Sequence, residues 1–293
     1  MSYLFYAPRT MDELLGILAE KQAGAMILAG GTDAMVEIRA GHKPECLVDI
    51  TRISELKGIR RDGNRIHIGP ATTFSEIVES QIIRNGAFLL AQAALSVGSP
   101  QIRNRGTVGG NIVKGSPAAD SVPALMALDA KLRLVSQAGE RELALEDFLV
   151  GICQTAIAPG EVLAGISFEA LAPKTGSAFV KLGRRKALAI SRVSVAAIVG
   201  YEEEHMTCTD CRIAVGAVAK NPFRVKTAET IWQNCSLTHS NRDACVKAAL
   251  KEISVTLGER ASAVYKKKAG PAIIRRAVDS ALGQVFGGWE QVL

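Results

Sequence analysis

Two glycine pairs carry the strongest chemical signal in the chain. One lies in "LAGGTD", Leu28 to Asp33, and the other in "TVGGN", Thr107 to Asn111. Glycine lets backbone N–H groups approach a ligand closely and adopt dihedrals that other residues avoid. Successive N–H groups turned into one concavity make a nest for an anion. A charge-assisted hydrogen bond contributes about 1.5–3 kcal/mol net, so four of them would hold a pyrophosphate with about 6–12 kcal/mol before ordering costs. Two such loops suit the pyrophosphate of a dinucleotide better than a single phosphate. Neither loop reads G-x-G-x-x-G, and neither carries the Lys-Ser/Thr end of a P-loop.

Two carboxylates sit beside these loops. Asp33 would repel a phosphate, so either Thr32 or Asp33 caps the helix that begins there, or Asp33 accepts from a ribose hydroxyl. Asp120, in "SPAADS", poses the same choice between capping "SVPALMAL" and accepting from a polyol. Its closeness to the second glycine loop favours ligand contact.

The elements that must position these residues follow from periodicity and punctuation. "MDELLGILAE" has Leu14, Leu15 and Leu18 at helical spacing after a Thr10 start signal. "AMILA" and "CLVDI" are short strands, with the helix "AMVEIRAG" between them ending at Gly41. A second lobe opens with the "DG" hairpin in "GIRRDGNRIHIG". Thr73 and Glu76 form a capping-box pattern, "AFLLAQAALSVG" is a core helix, "KLRLVSQAGERELAL" is a hairpin, and "EVLAGISFE" is a strand.

Around 171–178, "LAPKTGSA" turns to Pro, Lys, Thr, Gly and Ser and reads as a linker. It separates a domain 1–174, with lobes of about 1–56 and 57–174, from a domain 175–293. In the second, "AFVKLG", "RVSVAAIVGYEE" and "CRIAVGAVAK" alternate like antiparallel strands. Three helical patterns follow, the last being "PAIIRRAVDSALGQVF" with Pro271 suited to a first turn. Strands followed by helices make the class α+β.

Composition excludes several other functions. Apolar residues make up 48% of the 293 and charged residues 22%, the profile of a globular protein. No apolar run reaches the length of a membrane span, and "MSYLFYAPRT" lacks the basic start and apolar core of a secretory signal, so a cytoplasmic protein is expected. The net charge of +6 is spread along the chain, in short clusters at Lys181–Lys186 and Tyr265–Gly270, and aromatics reach only 5%; nucleic-acid stacking platforms need more. Cys208 and Cys211 form the one C-x-x-C, on a predicted strand where residues three apart face opposite sides. That geometry suits neither zinc nor a redox pair, and no cysteine run fits an iron–sulfur cluster.

"ILAGGTD", "GSPQIRNRGTVGGNIVKGSPAADS" and "EVLAGISF" together resemble the FAD-binding medium subunits of the molybdenum hydroxylases, a family that includes xanthine, nicotinate and carbon monoxide dehydrogenases. The similarity runs essentially end to end. It implies a two-lobed FAD-binding domain of the vanillyl-alcohol-oxidase (PCMH) type and a small C-terminal α+β domain of the carbon monoxide dehydrogenase flavoprotein type. Carried over by position, Met26, Ile27, Leu28, Ala29, Gly30, Gly31, Thr32 and Asp33 wrap the FAD pyrophosphate from one side. Thr107, Val108, Gly109, Gly110 and Asn111 hold it from the other, Asp120 binds the polyol or ribose, Leu163 lies near the adenine or its ribose, and Lys181 approaches the flavin ring.

The resemblance also implies an oxidoreductase assembled as a hetero-oligomer. A molybdopterin-binding large subunit carries the molybdenum cofactor, and an iron–sulfur small subunit carries 2Fe–2S clusters. FAD passes electrons from those clusters to NAD or another acceptor, and no acid, base or nucleophile is assigned to this chain. Arg184 and Arg185, after Lys181, either meet an anionic acceptor or a partner, or form a solvated turn. The alternatives are a stand-alone FAD oxidoreductase of the same fold and a non-catalytic scaffold subunit with a decayed flavin site.

Overall fold

The computed structural model describes residues 3–185, 188–259 and 261–286. The first lobe runs β1 (Leu4–Tyr6), α1 (Met11–Lys21), β2 (Ala25–Leu28), α2 (Ala34–Arg39) and β3 (Cys46–Asp49). Its sheet is wholly parallel, ordered β1-β3-β2. Thr10 caps α1 by accepting from the Glu13 N–H at 3.3 Å, and Leu14 and Leu18 turn the helix's apolar stripe into a core with Val48, Ile50 and Ile53.

The second lobe contains β4 (Ile59–Asp62), β5 (Arg65–Ile68), α3 (Phe74–Glu79), α4 (Gln81–Gly86), α5 (Phe88–Leu95), α6 (Pro100–Arg103), α7 (Val108–Lys114) and α8 (Ser121–Ala127). It continues with β6 (Lys131–Ser136), β7 (Gly139–Ala144), α9 (Leu145–Phe148), β8 (Leu149–Gly151), β9 (Gln154–Thr155) and β10 (Val162–Glu169). Its main sheet is antiparallel, ordered β4-β5-β10-β6-β7. The capping box forms as expected: Thr73 Oγ1 accepts from the Glu76 N–H, and the Glu76 carboxylate accepts from the Thr73 N–H at 2.7 Å. The β4–β5 turn sits one residue later than its "DG" signal, because Asp62 pairs with Arg65 and Gly63–Asn64 makes the loop.

The third unit has β11 (Thr175–Leu182), β12 (Val193–Glu202), β13 (Thr207–Gly216) and β14 (Phe223–Arg224), then α10 (Lys226–Trp232), α11 (His239–Leu257) and α12 (Ala263–Phe286). Its antiparallel sheet, ordered β11-β12-β13-β14, is buried on both faces. Phe179, Ala196, Ile198 and Ala214 join the core of the second lobe. Val180, Val195, Ala197 and Val199 pack with residues of α10, α11 and α12. No described helix is long and apolar enough to cross a membrane.

Three sequence expectations fail here for local reasons. Half of the expected linker is strand: Gly176 lies where a Cβ would come within 1.8 Å of the Ala281 carbonyl, and Ser177 accepts from the Leu89 N–H at 3.3 Å. The small and polar residues serve close packing, not looseness. Pro271 lies inside α12, not in its first turn; the helix continues through the lost hydrogen bond because Ile274, Ala277, Val278 and Ala281 bury its inner face. A β-bulge puts Cys208 and Cys211 on one side: Gly200 pairs with Asp210 and Tyr201 with Cys208, so Thr209 is the extra residue. Both thiols are buried near Cys245. Hydrogen bonding to Cys208 and Cys245, and then burial, pushes the Cys211 thiol up, which keeps it neutral and unreactive.

An ion-pair network fastens the third unit to the second lobe. Buried Glu229 accepts from the Ile213 N–H at 2.8 Å and takes Arg224 on both oxygens, at 2.9 and 2.8 Å. Arg224 also pairs with Asp129 in the turn after α8, and Arg212 reaches the same carboxylate at 3.5 Å. Burial disfavours the Arg224 charge, but Glu229 and Asp129 outweigh it and hold the guanidinium above its ordinary range. Glu229→Ala would strand a buried charge and an N–H, and should cost about 3–5 kcal/mol, read as a lowered urea midpoint at unchanged m-value.

Candidate functional site

The first glycine loop begins where β2 leaves its parallel sheet. Gly30 keeps its φ out of the left-handed region but touches the other lobe: a Cβ there would stand 1.8 Å from the Arg105 carbonyl oxygen. Gly31 has φ +71°, in the left-handed region that disfavours side chains. Asp33 holds the N-cap position of α2, yet its side chain makes no capping bond, so that part of the sequence reading is overturned. Among the described residues, the N–H groups of Gly30, Gly31, Thr32, Asp33 and Ala34 meet no acceptor. Five consecutive free donors border one cleft.

The second loop is built differently. Thr107 caps α7, its Oγ1 accepting from the Gly110 N–H at 3.1 Å. The Val108 and Gly109 N–H groups donate to the Thr72 and Pro70 carbonyls at 3.0 and 2.9 Å, and the Asn111 N–H donates to the Thr107 carbonyl. The second nest expected from "TVGGN" is therefore not built, because the chain consumes the four successive donors of Val108 to Asn111. What the loop offers is the Asn111 side chain. Its Oδ1 accepts from Ser121 Oγ at 2.7 Å, leaving the amide NH₂ free.

The cleft between the lobes has a volume of about 590 Å³. It gathers Met26, Ile27, Ala29, Gly30, Gly31, Thr32 and Asp33 from one side and Thr107, Gly109, Gly110 and Asn111 from the other, with Leu163 on its wall. Leu28 and Val108 do not line it, and Val108 is fully buried. Lys181 lines a second chamber of about 820 Å³, with Ser96, Gly98, Arg103, Arg185 and Leu188. The segment 95–106 divides the two: Val97, Ile102 and Gly106 face the cleft, and Ser96, Gly98 and Arg103 face the chamber.

Asp120 belongs to the Lys181 side. Its Oδ2 lies 2.5 Å from the Lys181 ammonium, its Oδ1 accepts from Ser191 Oγ at 2.5 Å, and Lys181 also donates to the Ser96 carbonyl at 3.0 Å. It makes no capping bond to α8, so that alternative is overturned. Ser191 carries no motif signal and was invisible in the sequence. So were Glu37, Lys114 and Glu161 on the cleft wall, although Lys114 stands three residues after Asn111 on the same helical face. Of the Lys181–Lys186 cluster, Lys181 is paired in the interior and Lys186 lies outside the described residues.

A row of N–H donors, apolar walls, and a carboxylate and an ammonium beyond them fit a long anionic ligand with hydroxyls. Residues 1–168 match the model of the FAD-binding domain in molybdopterin dehydrogenase, and residues 178–281 match the C-terminal domain of carbon monoxide dehydrogenase flavoprotein. The chain belongs to the FAD-binding medium subunits of the molybdenum hydroxylases. It is 34% identical to the nicotinate dehydrogenase FAD-subunit of Eubacterium barkeri, covering 97% of each chain. It is 30% identical to the carbon monoxide dehydrogenase medium chain of Hydrogenophaga pseudoflava, over 94% of this chain and 96% of that one. A solved structure of carbon monoxide dehydrogenase from that organism superposes with a TM-score of 0.90, covering 97% of this chain and 98% of the other. This chain is thus an oxidoreductase flavoprotein subunit.

Two expectations follow for the flavoprotein. Gly30→Val would drive a side chain into the Arg105 carbonyl and part the lobes, so the purified variant should lose bound FAD, read from its visible spectrum. The cleft wall at 156–161 should loosen in acid. The hydrogen bond from Arg141, at 2.7 Å, holds the Glu161 carboxyl below its ordinary range; burial opposes this, and the Ala158 N–H adds to the lowering. A lowered folded-state value stabilises above the ordinary carboxylate range and is lost as pH falls through it, below about pH 4. Amide exchange at Ala158 should accelerate there, and Glu161→Gln should show the same acceleration at neutral pH.

Proposed function

We propose that this subunit holds FAD extended across both chambers and passes electrons between partner subunits and a final acceptor. The free N–H groups of Gly30 to Ala34 carry the reading, since among the described residues they are left to bind an anion. They would take the pyrophosphate, with Thr107, Gly110 and Asn111 facing them and Leu163 beside the adenine or its ribose. Asp120 would accept from a polyol hydroxyl, and Lys181 would favour negative charge on the flavin ring. FAD, when bound, supplies a carrier that accepts electrons one at a time and can release two as a hydride.

The partners would be a large subunit with the molybdenum cofactor, where substrate is oxidised, and a small subunit with 2Fe–2S clusters. Similarity to medium chains of named dehydrogenases supports this arrangement. NAD is the proposed acceptor, met by Arg184 and Arg185 at the Lys181 chamber. Both arginines are exposed, and Arg185 is steadied by two bonds to the Leu188 carbonyl, at 3.0 and 2.6 Å.

The decisive experiment is an absorbance spectrum from about 300 to 550 nm of the purified complex and of this chain, before and after acid release. Flavin bands with a released compound that co-migrates with FAD support the reading; a colourless complex would refute it. Turnover of a substrate by the isolated chain would favour a stand-alone flavoenzyme. Replacing Arg184 and Arg185 together with Gln should weaken NADH-driven dye reduction while leaving flavin content unchanged. Equal kinetics at all NADH concentrations would remove NAD from that chamber.

A further inference from the structure

We propose that Lys114 is the counter-ion of the cofactor's pyrophosphate, released to it from an ion pair with Glu37 when FAD enters. This rests on the FAD reading of the cleft. The charged side chains on the cleft wall are Asp33, Glu37, Glu161 and Lys114, so Lys114 is the one cation among the described lining residues. Glu161 is neutralised by Arg141 from outside. A pyrophosphate would therefore enter a space whose own side chains are net acidic. Five neutral N–H groups offer it dipoles but no net charge.

Placement puts Lys114 in reach of the task. It ends α7, three residues after Asn111, and so shares the second loop's face toward the cleft. Glu37 lies in α2, three residues after the last free N–H group. Their ion pair thus joins the elements that follow the two glycine loops and spans the lobes beside the anion donors. Both side chains are about one-third exposed, at 34% and 35%, and an ion pair so wetted is weak and readily exchanged. A phosphate held by amides in the same cleft is a better partner for an ammonium, because each of its bonds is charge-assisted. The exchange leaves Glu37 facing solvent, where a carboxylate is well hydrated.

Exchange and simple latching predict opposite results for one of the two partners. If Glu37 competes with the phosphate for Lys114, Glu37→Gln tightens FAD binding and Lys114→Met weakens it. If the pair only latches the lobes, both variants weaken binding. The test uses the full chain with its co-purifying subunits, stripped of flavin and titrated with FAD by the quenching of flavin fluorescence. Lys114→Met should raise the FAD Kd by about ten- to hundredfold and flatten its salt dependence. Lys114→Arg should bind like the parent, which shows that the position and not the fold is at issue. ADP, used as a competitor, should lose affinity in Lys114→Met, whereas riboflavin, which has no phosphate, should bind all forms alike. An unchanged FAD Kd in Lys114→Met, or weaker binding in Glu37→Gln, would overturn the exchange. A parent protein that binds no FAD would instead overturn the cofactor reading itself.

Discussion

The site depends on one bare contact between backbones: Gly30 against the carbonyl of Arg105. A parallel lobe and an antiparallel lobe meet there without a side chain between them, which sets the width of the cleft. The same contact holds Gly30 to Ala34 and α7 on the walls of one cleft and keeps Glu37 within reach of Lys114. Gly31 then bends the chain through a left-handed residue into α2. Two adjacent glycines therefore do unlike jobs, one giving proximity and the other a change of direction.

The third unit adds to the candidate site from outside the cleft between the lobes. Its sheet is apolar on both faces, so one face extends the core of the second lobe while the other carries three helices. Fully burying a large apolar side chain contributes about 1.5–3 kcal/mol, and a shared core of this kind holds the unit rigidly, unlike a hinged domain. That rigidity matters for Lys181. Strand β11 delivers its ammonium to Asp120, and Ser191, just before β12, supplies the second bond to the same carboxylate. Asp120 is held between β11 and the residue that leads into β12, and lies beside Lys181 of the second chamber in a fixed orientation.

Local signals were legible wherever one residue acts on its near neighbours. Thr10 and the Thr73–Glu76 pair declare helix starts, alternation declares a half-buried strand such as β6, and the two glycine pairs mark loops that do line one cleft. The failures share a cause, which is that distant partners changed what a local pattern meant. Pro70 and Thr72 consume the donors of the second glycine loop, although their own sequence gives no hint of it. The carbonyl of Ala281 demands the glycine that looked like a linker, and one extra residue in β13 reverses the facing of Cys208 and Cys211. Ser191 was invisible because a lone serine before a strand has no pattern at all.

The placement of charge explains how a site with several carboxylates can suit an anionic cofactor. Three of the acidic groups near the path are matched by a cation from another element: Glu161 by Arg141, Asp120 by Lys181 and Glu37 by Lys114. The first two pairs are partly shielded, with the carboxylates at 12% and 7% exposure, so they stay closed and present oriented acceptors. The third is open to water on both sides and is the weakest of the three. A binding site needs both kinds of pair, since a buried pair fixes geometry while a wetted one can yield its cation. The graded burial of these three pairs, two at the cleft and one beside the second chamber, therefore separates the groups that position a ligand from the group free to neutralise it.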